Sequence, residues 1–209
     1  MSTRYLQRYD AGTRSNHWLV AILFFLAGLS GLALFHPALF GLTSLFGGGP
    51  WTRILHPYLG LAMVLFFLGM FFRLWRENRF VEGDRAWLDK AGTMLKGDKA
   101  GLPPVGKYNA GQKIVFWLMM GSLMVLLVTG ILFWYAWFGH VFPIWAVRAG
   151  VLLHSIAAVV LILTTIVHVY AAIWVKGTTR AMTRGTVTES WARTNHPLWH
   201  AEVTGRRGQ

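Results

Sequence analysis

Charged residues along the chain are spaced so that four long stretches contain none. The uncharged runs extend from Ser15 to Thr52, Ile54 to Phe72, Ile114 to Val147 and Ala149 to Val175. A bilayer hydrocarbon core of about 30 Å is crossed by roughly 20 apolar helical residues, so each run holds one span, and the two longest add an uncharged loop. In the first run, Pro37, the Gly47–Gly49 triplet and Pro50 act as helix breakers; in the third, Gly139 and Pro143 do the same. The pattern predicts helices near 17–35, 54–75, 112–135 and 149–175, an all-α membrane protein built as a four-helix transmembrane bundle. Residues 1–177 form this domain, residues 178–209 a basic tail, and the polar 76–108 connection is expected to carry a short interfacial helix around Arg85 to Leu95. Four spans put both termini on one side.

Composition agrees: of 209 residues, 55% are hydrophobic and only 13% charged, a balance wrong for a soluble domain. The 20 basic residues decide the orientation. Three lie in the amino-terminal arm (Arg4, Arg8, Arg14), nine in the 73–113 connection and six from Lys176 onward, against Arg53 and Arg148 alone in the other two connections. By the positive-inside rule this 18:2 split makes both termini and the central loop cytoplasmic. The same placement explains the formal charge of +12 without nucleic acid, because the basic residues cluster at span ends rather than on a soluble face. Trp18, Trp51, Trp75, Trp134, Trp137 and Trp174 fall near span ends, as interfacial aromatic belts require. The first apolar segment is long and lacks a small-residue cleavage site, so it is expected to be retained. With no cysteine, disulfides, thiolate-held iron–sulfur clusters and covalent haem attachment are excluded.

Four of the eight histidines, His17, His56, His154 and His168, lie inside or at the edge of the spans, where ionisable groups are costly and usually functional. A single one reads most simply as an interfacial, hydrogen-bonded side chain; four that agree in depth do not. His154 and His168 are 14 residues apart, which on a helix returns them to within about 40° of one face and separates them by roughly 21 Å. His17 begins the first span on the cytoplasmic side and His56 the second on the outer side. Depth therefore pairs His17 with His168 and His56 with His154. Two bis-imidazole sites stacked across a membrane are what two b-type haems require. Gly150, Ala157 and Ala158 near His154, Thr164, Thr165, Ala171 and Ala172 near His168, Gly60 after His56 and Ala21 after His17 are small enough to admit a flat macrocycle, or simply a neighbouring helix. His36 and His140 in outer connections, and His196 and His200 in the tail, are expected to be solvated or interfacial.

The third span is entered through Lys107-Tyr108-Asn109-Ala110-Gly111-Gln112-Lys113, at the depth of the His17/His168 pair. The amides of Asn109 and Gln112 can donate to a quinone carbonyl, and Gly111 lets backbone come close. The same residues also suit a helix start, with Asn109 as N-cap and Gln112 reaching back as in a capping box.

Taken together, Asn16-His17-Trp18, Arg53-Ile54-Leu55-His56-Pro57, the Gly106-to-Lys113 string, Leu152-Leu153-His154 and the His168 helix closing with Trp174-Val175-Lys176-Gly177 closely resemble the cytochrome b (gamma) subunits of respiratory, membrane-bound formate dehydrogenases. The resemblance covers roughly residues 8 to 200. It implies that His17, His56, His154 and His168 ligate two haems b, and that residues matching Asn109 and Gly111 contribute to a quinone pocket beside the cytoplasmic-side haem, with menaquinone or ubiquinone as acceptor. It also implies an iron–sulfur partner with its own membrane anchor helix, a molybdenum or tungsten catalytic subunit beyond it, and a bacterial inner-membrane location. Electrons would enter at the His56/His154 haem, cross to the His17/His168 haem and reduce quinone near Asn109, with formate oxidation taking place elsewhere. The short Gly47-Gly48-Gly49-Pro50 connection departs from the family pattern and bears on partner docking. Cytochrome b subunits of nickel–iron hydrogenases and of thiosulfate or polysulfide reductases share the multi-histidine plan. A histidine-lined transporter is the alternative of another class, disfavoured by spans without a single Asp or Glu.

Overall fold

The computed structural model describes residues 3–95 and 101–205; Lys96 and Lys99 of the basic connection, and Arg206 and Arg207 of the basic tail, lie outside the described residues. The elements in order are β1 (Tyr5–Gln7), α1 (Ala11–Phe35), a 3-10 helix (Pro37–Phe46), α2 (Gly49–Leu74), α3 (Glu82–Asp89), α4 (Ala91–Leu95), α5 (Ala110–Leu132), α6 (Tyr135–Phe138), α7 (Ile144–Trp174), α8 (Thr179–Arg184), β2 (Thr186–Thr188), α9 (Glu189–Asn195) and α10 (Pro197–Val203). Four of these, α1, α2, α5 and α7, are long and apolar enough to cross a membrane. They are apolar around their whole circumference, as lipid demands, and side chains such as Ile22, Phe25, Leu65, Leu163 and Ile166 stand exposed.

Three spans start earlier than the charge pattern suggests, at Ala11, Gly49 and Ile144 rather than near 17, 54 and 149. Proline is the reason in two of them. Pro50 sits in the first turn of α2, where its missing N–H is not needed, and the Pro143 carbonyl accepts the first bonds of α7 from Ala146 N at 3.0 Å and Val147 N at 3.2 Å. Residues read as breakers are therefore helix starters. In α1 the early start comes from Asp10, whose carboxylate accepts from Thr13 N at 2.7 Å and from Thr13 Oγ1 at 2.9 Å. These bonds hold the Asp10 carboxyl below its ordinary range. The first uncharged loop is itself helical: His36 Nδ1 accepts from Ala38 N at 3.2 Å to cap the 3-10 turn, and Gly47 (φ 85°) and Gly48 (φ 95°) supply the left-handed turn that ends it.

The chain forms two compact units. One comprises Ser15–Phe71 and Leu118–Ile166, the apolar middles of the four long helices. The other comprises Met1–Arg14, Phe72–Trp117 and Val167–Gln209. Here β1 and β2 pair antiparallel with Leu6 opposite Val187, and Leu6, Tyr9, Tyr108, Ala181, Val187, Trp191, Ala192 and Trp199 form a small core. Residues of the basic tail between 178 and 205 are thus folded against the amino-terminal arm. His196 and His200, expected at the surface, are only 2% and 6% exposed.

Candidate functional site

Within the first unit, α2 and α7 bring His56 and His154 together, ring centroids 6.3 Å apart and planes at 71°. Each ring is held from behind by a hydroxyl on another helix. His56 Nδ1 lies 3.0 Å from Ser30 Oγ of α1, and His154 Nδ1 lies 2.9 Å from Thr129 Oγ1 of α5. The direction of both bonds follows from the proton count, since a hydroxyl has one proton to give. Ser30 Oγ donates it to Ala27 O at 3.0 Å, and Thr129 Oγ1 donates to Val125 O at 2.6 Å. Each hydroxyl oxygen is then left to accept from the imidazole, which places a proton on Nδ1 of both rings, so that in the neutral imidazole Nε2 carries the lone pair. No hydrogen bond reaches either Nε2 among the described residues.

Glycines make room for the rings. A Cβ on Gly31 would stand 2.9 Å from His56 Cε1, and one on Gly130 would stand 3.5 Å from His154 Cε1. Phe133 closes the far edge of the His154 ring, edge-on at 5.0 Å.

Two bare imidazole nitrogens suit a metal whose other positions are filled by something else. A protein-only metal site needs three or four side chains, and among the described residues no group of three or more His, Cys, Asp or Glu is placed to hold one. A porphyrin supplies four nitrogens of its own and asks the protein for two axial ligands. The ring separation is right as well: two imidazoles each bonded at about 2 Å to a shared ion have centroids roughly 6 Å apart. The residues present fit a haem.

Of the other expected ligands, His17 lies near the start of α1 with its ring edge-on to Trp18 at 5.5 Å, and His168 lies on α7, 14 residues beyond His154. They belong to different units.

The entry to α5 lies in the second unit and forms the helix start that the residues suit. Asn109 Oδ1 accepts from Gln112 N at 2.9 Å while Gln112 Oε1 accepts from Asn109 N at 3.0 Å, a complete reciprocal cap. Both amide oxygens face backbone donors, and neither NH2 group has a hydrogen-bond partner among the described residues. Trp87 packs on Gly111, where a Cβ would lie 3.2 Å from its ring. Lys113 Nζ meets Asp84 Oδ2 at 2.7 Å in a buried ion pair.

Three successive carbonyls ahead of this turn are held by the chain termini. Val105 O accepts from Leu198 N at 3.2 Å, Gly106 O from His196 Nδ1 at 2.8 Å, and Lys107 O from Arg8 Nη2 at 2.5 Å. Arg8 is 6% exposed, its guanidinium within 5.8 Å of the ring centroids of Tyr9, Tyr108, Trp191 and Trp199. Burial, together with the Arg8 charge, pushes the His196 imidazole down to about 3, so it is neutral and free to donate through Nδ1. Tyr108 Oη and Tyr9 Oη share a 2.8 Å bond, and burial raises the Tyr108 hydroxyl well above its ordinary value. Sequence reasoning missed Ser30, Thr129, Arg8 and His196; in the spans, the signal was a hydroxyl residue followed by glycine, Ser30-Gly31 and Thr129-Gly130, in otherwise apolar helices.

Four membrane-crossing helices with a fixed imidazole pair define the class, a polytopic membrane protein suited to redox cofactors. The family described as prokaryotic cytochrome b561 matches residues 8–185. Its relatives include the formate dehydrogenase cytochrome b556(fdo) subunit of Escherichia coli (strain K12), 42% identical over 196 residues, 94% of this chain and 92% of that one. The nitrate-inducible formate dehydrogenase cytochrome b556(Fdn) subunit of the same organism is 42% identical, covering 91% of this chain and 88% of its own. The formate dehydrogenase cytochrome b556 subunit of Haemophilus influenzae is 37% identical, covering 93% and 82%. This chain belongs to the prokaryotic cytochrome b561 family. It is a multi-pass inner-membrane protein whose cofactor is haem b.

Proposed function

We propose that this chain is the cytochrome b subunit of a formate dehydrogenase complex, carrying electrons from an iron–sulfur subunit through two haems b to a membrane quinone. The names and identities of the relatives support the context, since 42% identity extends over more than nine-tenths of the chain. In this reading the catalytic molybdenum or tungsten subunit acts through an iron–sulfur subunit with its own membrane anchor, and this chain has no part in formate oxidation itself.

His56 and His154 hold one haem through their Nε2 atoms; with Nδ1–H donated to Ser30 and Thr129, Nε2 is the nitrogen left to each neutral ring as a ligand. His17 and His168 hold the second, supported by the 14-residue spacing of His154 and His168 on α7. Haem b supplies a one-electron carrier that, when held by two imidazoles, has no open position for substrate. The apolarity of the spans keeps bulk water from the His56/His154 pair. At the entry to α5, the NH2 groups of Asn109 and Gln112 bind and orient a menaquinone or ubiquinone carbonyl, with Gly111 admitting the ring, and protons arrive from the basic side.

The observation that carries this reading is the His56/His154 pair with both tautomers fixed by hydroxyls that have no other proton to give. Purification of the intact complex, with its subunits identified and haem counted by a reduced-minus-oxidised spectrum, tests it. Two haems b per chain and co-purifying iron–sulfur and molybdenum or tungsten subunits are expected. A preparation without b-type bands overturns the haem assignment, and one carrying a hydrogenase or sulfur reductase partner overturns the formate context.

A further inference from the structure

We infer that Ser30 and Thr129 are positioning residues that tune the His56/His154 haem, each hydroxyl fixing the tautomer of its imidazole and making that ligand more electron-donating. The inference rests on His56 and His154 being haem ligands. Outer hydrogen bonds of this kind orient metal-bound imidazoles and raise their basicity. Here both come from hydroxyls whose own proton is given to the helix behind them, which leaves the hydroxyl oxygen as the acceptor of the imidazole proton.

The arrangement occurs twice on independent helices. Ser30 and Gly31 face His56 from α1; Thr129 and Gly130 face His154 from α5. In each case the hydroxyl takes Nδ1–H and the next residue, lacking a Cβ, leaves space for Cε1 of the same ring. Ser30 is 0% exposed and Thr129 4% exposed, so neither hydroxyl is in contact with bulk solvent. An imidazole that loses its acceptor donates less charge through Nε2, which destabilises the oxidised iron relative to the reduced and raises the midpoint potential.

The test uses the intact complex with Thr129→Val, which keeps the side-chain shape and removes the hydroxyl, Thr129→Ser, which restores it, and Ser30→Ala. Haem content, the electron paramagnetic resonance of the oxidised haems and potentiometric titration are read for each. The expected result is an upward shift of one haem only in Thr129→Val and Ser30→Ala, of the order of tenfold in the reduction equilibrium or about 59 mV for a one-electron couple. Thr129→Ser returns to the wild-type potential, and the second haem serves as internal reference. Unchanged potentials and resonances in Thr129→Val and Ser30→Ala overturn the inference, as does an equal shift of both haems. Should Thr129→Val lose a haem, its retention in Thr129→Ser supports the hydroxyl's role and its loss there refutes it. His154→Ala separates this from failure of the ligand assignment: retention of both haems in that variant removes His154 as a ligand, whatever the Thr129 variants do.

Discussion

Acidification should release the folded carboxyl-terminal segment through one residue, His196. Its imidazole is 2% exposed, donates to Gly106 O at 2.8 Å and lies 3.4 Å from Arg8 Nη2. Burial first, and the Arg8 charge second, bring its pKa from 6.5 to about 3. The sign follows directly: below pH 6.5 the unfolded segment binds a proton that the folded one refuses, so stability is full above 6.5, declines as pH falls and levels off near 3. Each pH unit inside that window costs about 1.4 kcal/mol, so acidification from pH 7 to 5 costs about 2 kcal/mol, or roughly thirtyfold in the opening equilibrium. Hydrogen exchange of peptides covering 186–200 in nanodisc-embedded protein, corrected for the intrinsic pH dependence of exchange, reads this as a matching loss of protection. His196→Asn removes the titration and should flatten the response. Arg8→Met takes away the second cause and should narrow the window while weakening the segment at every pH. Equal protection at pH 7 and pH 5 in the wild-type protein would refute the argument.

The buried Lys113–Asp84 pair predicts an asymmetry: Asp84→Asn leaves an ammonium buried without its counter-charge and should cost about 3–5 kcal/mol, whereas Asp84→Leu combined with Lys113→Leu should cost far less. Thermal unfolding of the purified variants distinguishes the two. Asn109→Ala removes the N-cap of α5, costing about 1 kcal/mol in stability, and one of the two proposed quinone donors. It should raise the apparent KM for a soluble quinone analogue while leaving both haems in place; an unchanged KM with only a stability loss would reduce Asn109 to a cap.

The membrane spans were legible because charge is the least tolerable property in lipid, so its absence marks a span more sharply than any propensity. Their starts were less so. Pro50 and Pro143 obey a rule that depends on register, breaking a helix from inside and opening it from the first turn, and the sequence does not state the register. The His56/His154 pair was legible from depth, but its partners were not: single hydroxyls in apolar helices usually bond their own backbone, and Ser30 and Thr129 do that as well. Their second role depends on contacts 26 and 25 residues away. The carboxyl-terminal fold was hidden for a similar reason. Val187, Trp191, Ala192 and Trp199 are too few to form a core alone and look like scattered surface residues until Leu6, Tyr9 and Tyr108 join them.

Haem stoichiometry in His154→Ala, measured by pyridine haemochrome against protein and accompanied by the oxidised haem resonances, tests the central claim most directly. Wild-type protein should carry two haems b per chain, and the variant should keep one, with the resonance of the other haem unchanged. Two full haems in the variant, or none in the wild type, would contradict the assignment of this imidazole pair as the iron-binding site.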